Sequence, residues 1–160
     1  MAKQAATQPL HRIAERVRFC TRCGTMHPAL DDGKRVCGDC GMGVLLTAQA
    51  GAIADPGDPF LVVSEELRVV AVSQSAEQMF GNEASLLSHP LLSALSSSEG
   101  DDALARAVRR AAMGSRDVVT LPVRAASAVA RDAGPLEARI AACGPPRAAL
   151  VVIELALRAL

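Results

Sequence analysis

Two cysteine pairs, Cys20-Thr-Arg-Cys23 and Cys37-Gly-Asp-Cys40, constrain this 160-residue chain more than any other feature. A two-residue gap lets both thiolates of a pair point at one ion, and Gly24 and Gly41 directly follow the pairs. A glycine there permits the tight turn that brings backbone N–H groups toward sulfur. Four thiolates complete a tetrahedral set for Zn²⁺ and leave no position for water. Cys20, Cys23, Cys37 and Cys40 therefore read as ligands of a structural rather than a catalytic metal. The same donors accept iron, which is the alternative ion.

Composition narrows the rest. Half of the residues are apolar, yet there is no Trp or Tyr and there are three Phe, so aliphatic and alanine packing must supply the core. The net charge is zero, with +3 in residues 1–50 and −3 in residues 51–160. Thiolate binding to a divalent ion lowers the first figure further, which leaves a weak electrostatic footprint for nucleic acid. The N-terminus lacks the apolar core of a signal peptide, and no apolar run is long and uninterrupted enough to span a bilayer. A metal site in a reducing cytoplasm is the expectation, with Cys143 as a buried structural thiol.

Periodicity divides the chain into four parts. Leu10, Ile13 and Val17 share helical spacing, which predicts an amphipathic helix ending the segment 1–18. The four-cysteine ribbon occupies 19–46, with Asp32-Gly33 as a hairpin turn and Val44-Leu45-Leu46 as a short strand. Small residues with Asp55-Pro56-Gly57 predict a linker over 47–57. Segment 58–160 then opens with two β-branched runs, Phe60–Val63 and Val69–Val72. Short helices follow over 75–80 and 83–95, a longer one over 101–113, and strands over 116–124, 136–143 and 148–157. Gly114 stops the longer helix and Asp101-Asp102 starts it.

The element order over about 58–157 resembles the PAS domain. Asp58-Pro59-Phe60-Leu61-Val62-Val63 is similar to its first strand, Ser75-Ala76-Glu77-Gln78-Met79-Phe80-Gly81 to its "AAExxFG" helix, and Leu86-Leu87-Ser88-His89-Pro90-Leu91 to the segment after it. Ser73 stands where that family often has Asn, and Ser88 replaces a common Gly. The resemblance implies an α+β fold: a PAS-like five-stranded antiparallel sheet curled around short helices, beside a small N-terminal zinc ribbon. A small apolar ligand in such a fold would be held by Met79, Leu104 and Val108, and a packed core without ligand is the competing expectation. The ribbon is also similar to the rubredoxin-like unit of rubrerythrin, with Met26-His27 after the first knuckle, and this resemblance carries the iron alternative.

No Ser/His/Asp set, phosphate-cradling glycine loop or paired-carboxylate constellation is visible, and metal-bound cysteines cannot act as nucleophiles. The expectation is a non-enzymatic sensory or adaptor protein in signalling or transcriptional regulation. It would act through protein binding, with a homodimer as the default assembly. An iron-based redox or electron-transfer sensor is one alternative. The other is nucleic-acid binding through Arg18, Arg22, Lys34 and Arg35, without base-stacking aromatics.

Overall fold

The computed structural model describes residues 15–28, 33–127 and 132–156. Nine strands form one antiparallel sheet: β1 (Arg16–Cys20), β2 (Met26–His27), β3 (Leu45–Gln49), β4 (Phe60–Val63), β5 (Val69–Val72), β6 (Leu95–Ser97), β7 (Val119–Ala125), β8 (Leu136–Gly144) and β9 (Ala148–Leu155). The helices are short: α1 (Gln74–Phe80), α2 (Glu83–Leu86), α3 (Asp101–Ala112), and 3₁₀ turns at Ala50–Ala52 and Leu91–Ser93. No helix among the described residues is long and apolar enough to cross a membrane.

This architecture corrects the α+β expectation. The fold is mostly β, a curled antiparallel sheet with few helices, rather than a five-stranded PAS-like sheet beside a separate ribbon. The added strands come from places where sequence pattern is weak. Arg16–Arg18, expected to end a helix, are extended and pair with Thr47–Gln49. Those three residues, expected in a linker, form most of β3. Residues 9–14 of the expected helix, and Asp32 of the expected turn, lie outside the described residues.

The main path runs β2-β1-β3-β8-β9-β4-β5, with β6 and β7 branching from β8. Strand β8 pairs with β9 along one edge, Leu136↔Leu155 to Cys143↔Ala148. Its other edge is shared. Leu136–Ile140 pair with β7, and Cys143 and Gly144 pair with β3. The metal ribbon thus enters the sheet through Thr47↔Gly144 and Ala48↔Cys143.

Both faces of the central strands are apolar, which is why β4 and β9 read as continuous hydrophobic runs. Alternation sends Leu61, Val63, Val151 and Ile153 to one face, under Leu104, Val108 and Ala111 of α3. It sends Phe60, Val62, Leu150 and Val152 to the other, against Phe19, Leu46, Ala48 and Ile53. Arg139 holds the latter layer at its margin, with Nη2 donating to Ile53 O at 3.0 Å and Nη1 3.0 Å from Glu154.

Ser73 joins the sheet to the helices. Its hydroxyl accepts from Ala76 N at 3.2 Å, capping α1, and from Phe60 N at 3.0 Å. Met79 packs against the helix-side core, while Leu104 and Val108 are fully buried in it. Of the three expected ligand contacts, two thus lie inside this core and Met79 is partly buried against it.

Candidate metal centre

Each cysteine pair lies at the tip of a small hairpin. In the first, Phe19↔Met26 and Arg18↔His27 pair across the turn, Cys20 N donates to Thr25 O at 3.0 Å, and Gly24 N donates to Cys20 O at 3.0 Å. The second repeats the plan: Val36 bridges Val44, Cys37 N donates to Gly43 O at 2.8 Å, and Gly41 N donates to Cys37 O at 2.9 Å. Gly24 and Gly41 hold φ of +76° and +70°, a region that side chains disfavour. The hairpins are cross-linked, since Thr21 N donates to Val44 O at 2.9 Å and Val44 N donates to Thr21 Oγ1 at 3.1 Å.

This arrangement brings all four expected sulfurs together. Cys20, Cys23, Cys37 and Cys40 place their Sγ atoms within 4.8 Å of one another. Cys20 to Cys40 is 3.6 Å and Cys23 to Cys37 is 3.8 Å. A tetrahedral ion with metal–sulfur bonds of about 2.3 Å separates its ligands by about 3.8 Å, so the cluster has the size of a tetrathiolate site. All five cysteines are free thiols rather than disulfides. Four cysteines this close could hold a metal ion.

Backbone donors already face the sulfurs. Arg22 N and Cys23 N lie 3.3 and 3.4 Å from Cys20 Sγ, and Gly43 N lies 3.4 Å from Cys40 Sγ. Without a metal the thiols feel opposite environments. Burial pushes Cys20 up to about 12, while the amides of Met42 and Gly43 bring Cys40 down to about 6. A cation would favour the ionised form of both, so binding releases protons.

Other residues surround the sulfurs, among them His27 of the Met26-His27 pair noted in the sequence. His27 Nε2 stands 3.4 Å from Cys37 Sγ and 3.9 Å from Asp39 Oδ2, so the ring sits beside the cluster. His27, Cys37 and Asp39 also form a second possible ligand group, but it draws on the same Cys37 sulfur. Gly43 gives room to Cys20, because a Cβ there would collide with Cys20 Sγ. Only the close spacing of Gly41 and Gly43 hinted at that role.

Arg22 projects away from the cluster. Its Nη2 donates to Glu77 Oε2 on α1 at 2.8 Å, and Nη1 lies 3.9 Å from Glu83. This residue, proposed from sequence as a phosphate contact, is committed to carboxylates of the same chain. Arg18 Nε donates to Pro28 O at 2.9 Å, a neutral acceptor that leaves its charge in place.

Beside the second knuckle, a groove of about 690 Å³ separates the Met42–Val44 loop from β4 and β5. Its walls are mostly apolar, including Val44, Leu46, Val62, Val70 and Pro146, with Glu83 and Arg147 also among the lining residues. Met42, Val44 and Val70 are 71%, 49% and 50% exposed, an unusual grouping for large apolar side chains on one patch. Comparison with protein-family models finds no match. Comparison with curated proteins finds no relative either.

Proposed function

We propose that this chain is a non-catalytic adaptor in which a zinc tetrathiolate holds a protein-docking groove in shape. The observation that carries the reading is the closure of the four-sulfur cluster. Four protein ligands leave no position for substrate or water, so the ion's work is structural. The second knuckle forms one wall of the apolar groove, and the first is tied to α1 through Arg22 and Glu77. Metal binding therefore fixes the groove wall.

Zinc is favoured over iron by exposure. Cys23 and Cys40 are partly open to solvent, whereas a redox-active iron centre depends on a sheltering apolar shell. The edge-to-face pair of Phe19 and Phe60, with centroids 5.8 Å apart, lies under the first knuckle and is the feature that favours iron. Elemental analysis and an absorption spectrum decide between them. A colourless protein with a single zinc ion per chain is expected, and a red ferric–thiolate spectrum would assign the site to iron.

The groove's proposed occupant is a second copy of the chain. Sedimentation velocity of the zinc-loaded protein should show a dimer, and Val70→Lys should return it to monomer. Monomeric parent protein across the accessible concentration range would remove self-association as the output.

A further inference from the structure

The outer face of the ribbon carries a second surface with different chemistry. In β1 and β3, Val17, Phe19, Leu46 and Ala48 point into the core, so Arg16, Arg18, Thr47 and Gln49 point the other way. A cleft of about 450 Å³ opens there, lined by Arg16, Arg116 and Arg147 together with Gln49, Gly114 and Gly144. A second cleft of about 470 Å³ is lined by Arg18, Lys34 and Arg35. The two share Thr47 and Pro145, so they adjoin.

Six cationic side chains line this double cleft, and among the described residues no Asp or Glu does. That is segregation, because the whole chain has as many acidic as basic residues. Arg16, Arg116 and Arg147 make no ion pair among the described residues. The Arg116 loop is fixed to the ribbon by Gln49, whose Nε2 donates to Arg116 O at 2.9 Å. The cationic groups therefore come from four separate parts of the fold: β1, the segment before the second knuckle, the loop after α3, and the β8–β9 turn.

We propose that this double cleft binds the phosphodiester backbone of nucleic acid without regard to base sequence. Leu45 to Gln49 of β3 spans about 13 Å at 3.3 Å per residue, room for a run of phosphates rather than one anion. The neutral polar side chains present are two hydroxyls, of Thr47 and Ser115, and the amide of Gln49, which suit phosphate and sugar oxygens. No aromatic side chain lines either cleft, so there is no platform for stacking bases and binding rests on contacts to the charged backbone. An acidic peptide fits less well. Arg18 and Phe19 of β1 and Thr47 and Ala48 of β3 are paired on both sides, which leaves little free edge for a peptide to add as a strand, and the clefts offer few apolar pockets for its side chains.

The test uses the zinc-loaded full chain and a fluorescently labelled single-stranded oligonucleotide of mixed sequence, about two double-cleft lengths long, titrated at several salt concentrations. Neutralising about four phosphates gives a slope of about −3 in log affinity against log salt. Scrambling the sequence should leave affinity within about twofold. Arg16→Ala, Arg35→Ala and Arg116→Ala should each weaken binding about three- to tenfold, and the triple variant should flatten the slope by about 2. Arg147 also borders the apolar groove and is left intact, so the two surfaces are tested apart. Arg109→Ala on the solvent side of α3 serves as the control and should change nothing. An undiminished affinity in the triple variant, a salt-independent signal, or a polyglutamate peptide that binds while the oligonucleotide does not would each overturn the proposal.

Discussion

Arg22 Nη2 and Glu77 Oε2 meet at 2.8 Å across 55 positions of sequence, joining the first metal knuckle to the helices on the sheet. The pair does not stand alone. Glu77 Oε1 accepts from Glu83 N at 2.8 Å, the first residue of α2, and Gln74 N donates to Arg22 O at 2.8 Å. One carboxylate thus receives a guanidinium from the ribbon and a backbone amide from the next helix. Knuckle geometry and helix placement are coupled through it.

That coupling predicts a pH dependence. The Arg22 hydrogen bond, then the Glu83 amide, hold the Glu77 carboxyl below its ordinary value. A depressed folded-state value means the contribution is complete above the unfolded value and fades as pH falls through the folded one. Glu77→Gln should therefore be less stable than the parent at neutral pH, with the difference shrinking in acid. Because acid also strips metal from thiolates, the readout is the difference between the two proteins' urea midpoints at fixed zinc. A constant difference from pH 7 to pH 4 would deny Glu77 this role.

Gly43 predicts a steric effect at the metal. Besides the collision with Cys20 Sγ, an added Cβ would stand 2.9 Å from Arg22 Cβ and 3.0 Å from Arg22 N. Gly43→Ala must push the two knuckles apart and disturb the amide that faces Cys40. Disturbing such a supporting contact costs about 10–100-fold in metal affinity. Competition with a chromophoric chelator measures this, with Gly38→Ala as the control, since nothing lies within 4 Å of a Cβ there.

Ser73 predicts a stability loss away from the metal. The residue is buried and its hydroxyl serves two amides at once. Ser73→Ala removes the α1 cap and leaves Phe60 N without its partner, for a cost of about 1–3 kcal/mol. In a chain of this size that lowers the melting temperature by about 2–4 °C per kcal/mol. Zinc stoichiometry should not change, which separates this effect from the one at Gly43.

What sequence could show here depended on how far each signal reached along the chain. The cysteine spacing is local and chemically specific, and all four sulfurs do converge. Strands β4 and β5 fall on the predicted residues because β-branched runs are strong local signals. Helix α3 likewise agrees within a residue, since its charges and apolar face both fit one wheel. The errors fall where pairing overrides pattern. Val17 fits a helical series with Leu10 and Ile13, yet it also alternates with Phe19, and the partner β3 selects the extended form. Thr47-Ala48-Gln49 has no strand signature, yet Ala48 is fully buried in the core beneath the ribbon and pairs with Val17. Ser96 and Ser97 read as loop and become β6 by pairing with β7. Those two long-range pairings, β1 with β3 and β6 with β7, help turn the expected α+β fold into a mostly-β one, and neither is visible in a local window. The pairing of Arg22 with Glu77 was equally out of reach, since each has another reading in sequence and only the folded chain brings them together.

The fifth cysteine gives the last prediction, on thiol chemistry. Cys143 lies in the core beneath the ribbon, 5% exposed, and burial pushes its thiol up to about 12 despite the charge of Arg16 nearby. Thiolate, not thiol, is the nucleophile, so Cys143 should be inert at neutral pH although it borders the basic cleft. The other four sulfurs are withheld by metal in the zinc-loaded protein. A disulfide reagent should therefore find no fast-reacting thiol in the native protein and all five after chelation in denaturant. Cys143→Ala should leave the native count unchanged and lower the denatured count by one. A single rapid thiol in the native protein that vanishes in Cys143→Ala would mean that this core opens at the ribbon junction. The β3–β8 pairing would then be a point of weakness rather than a fixed seam.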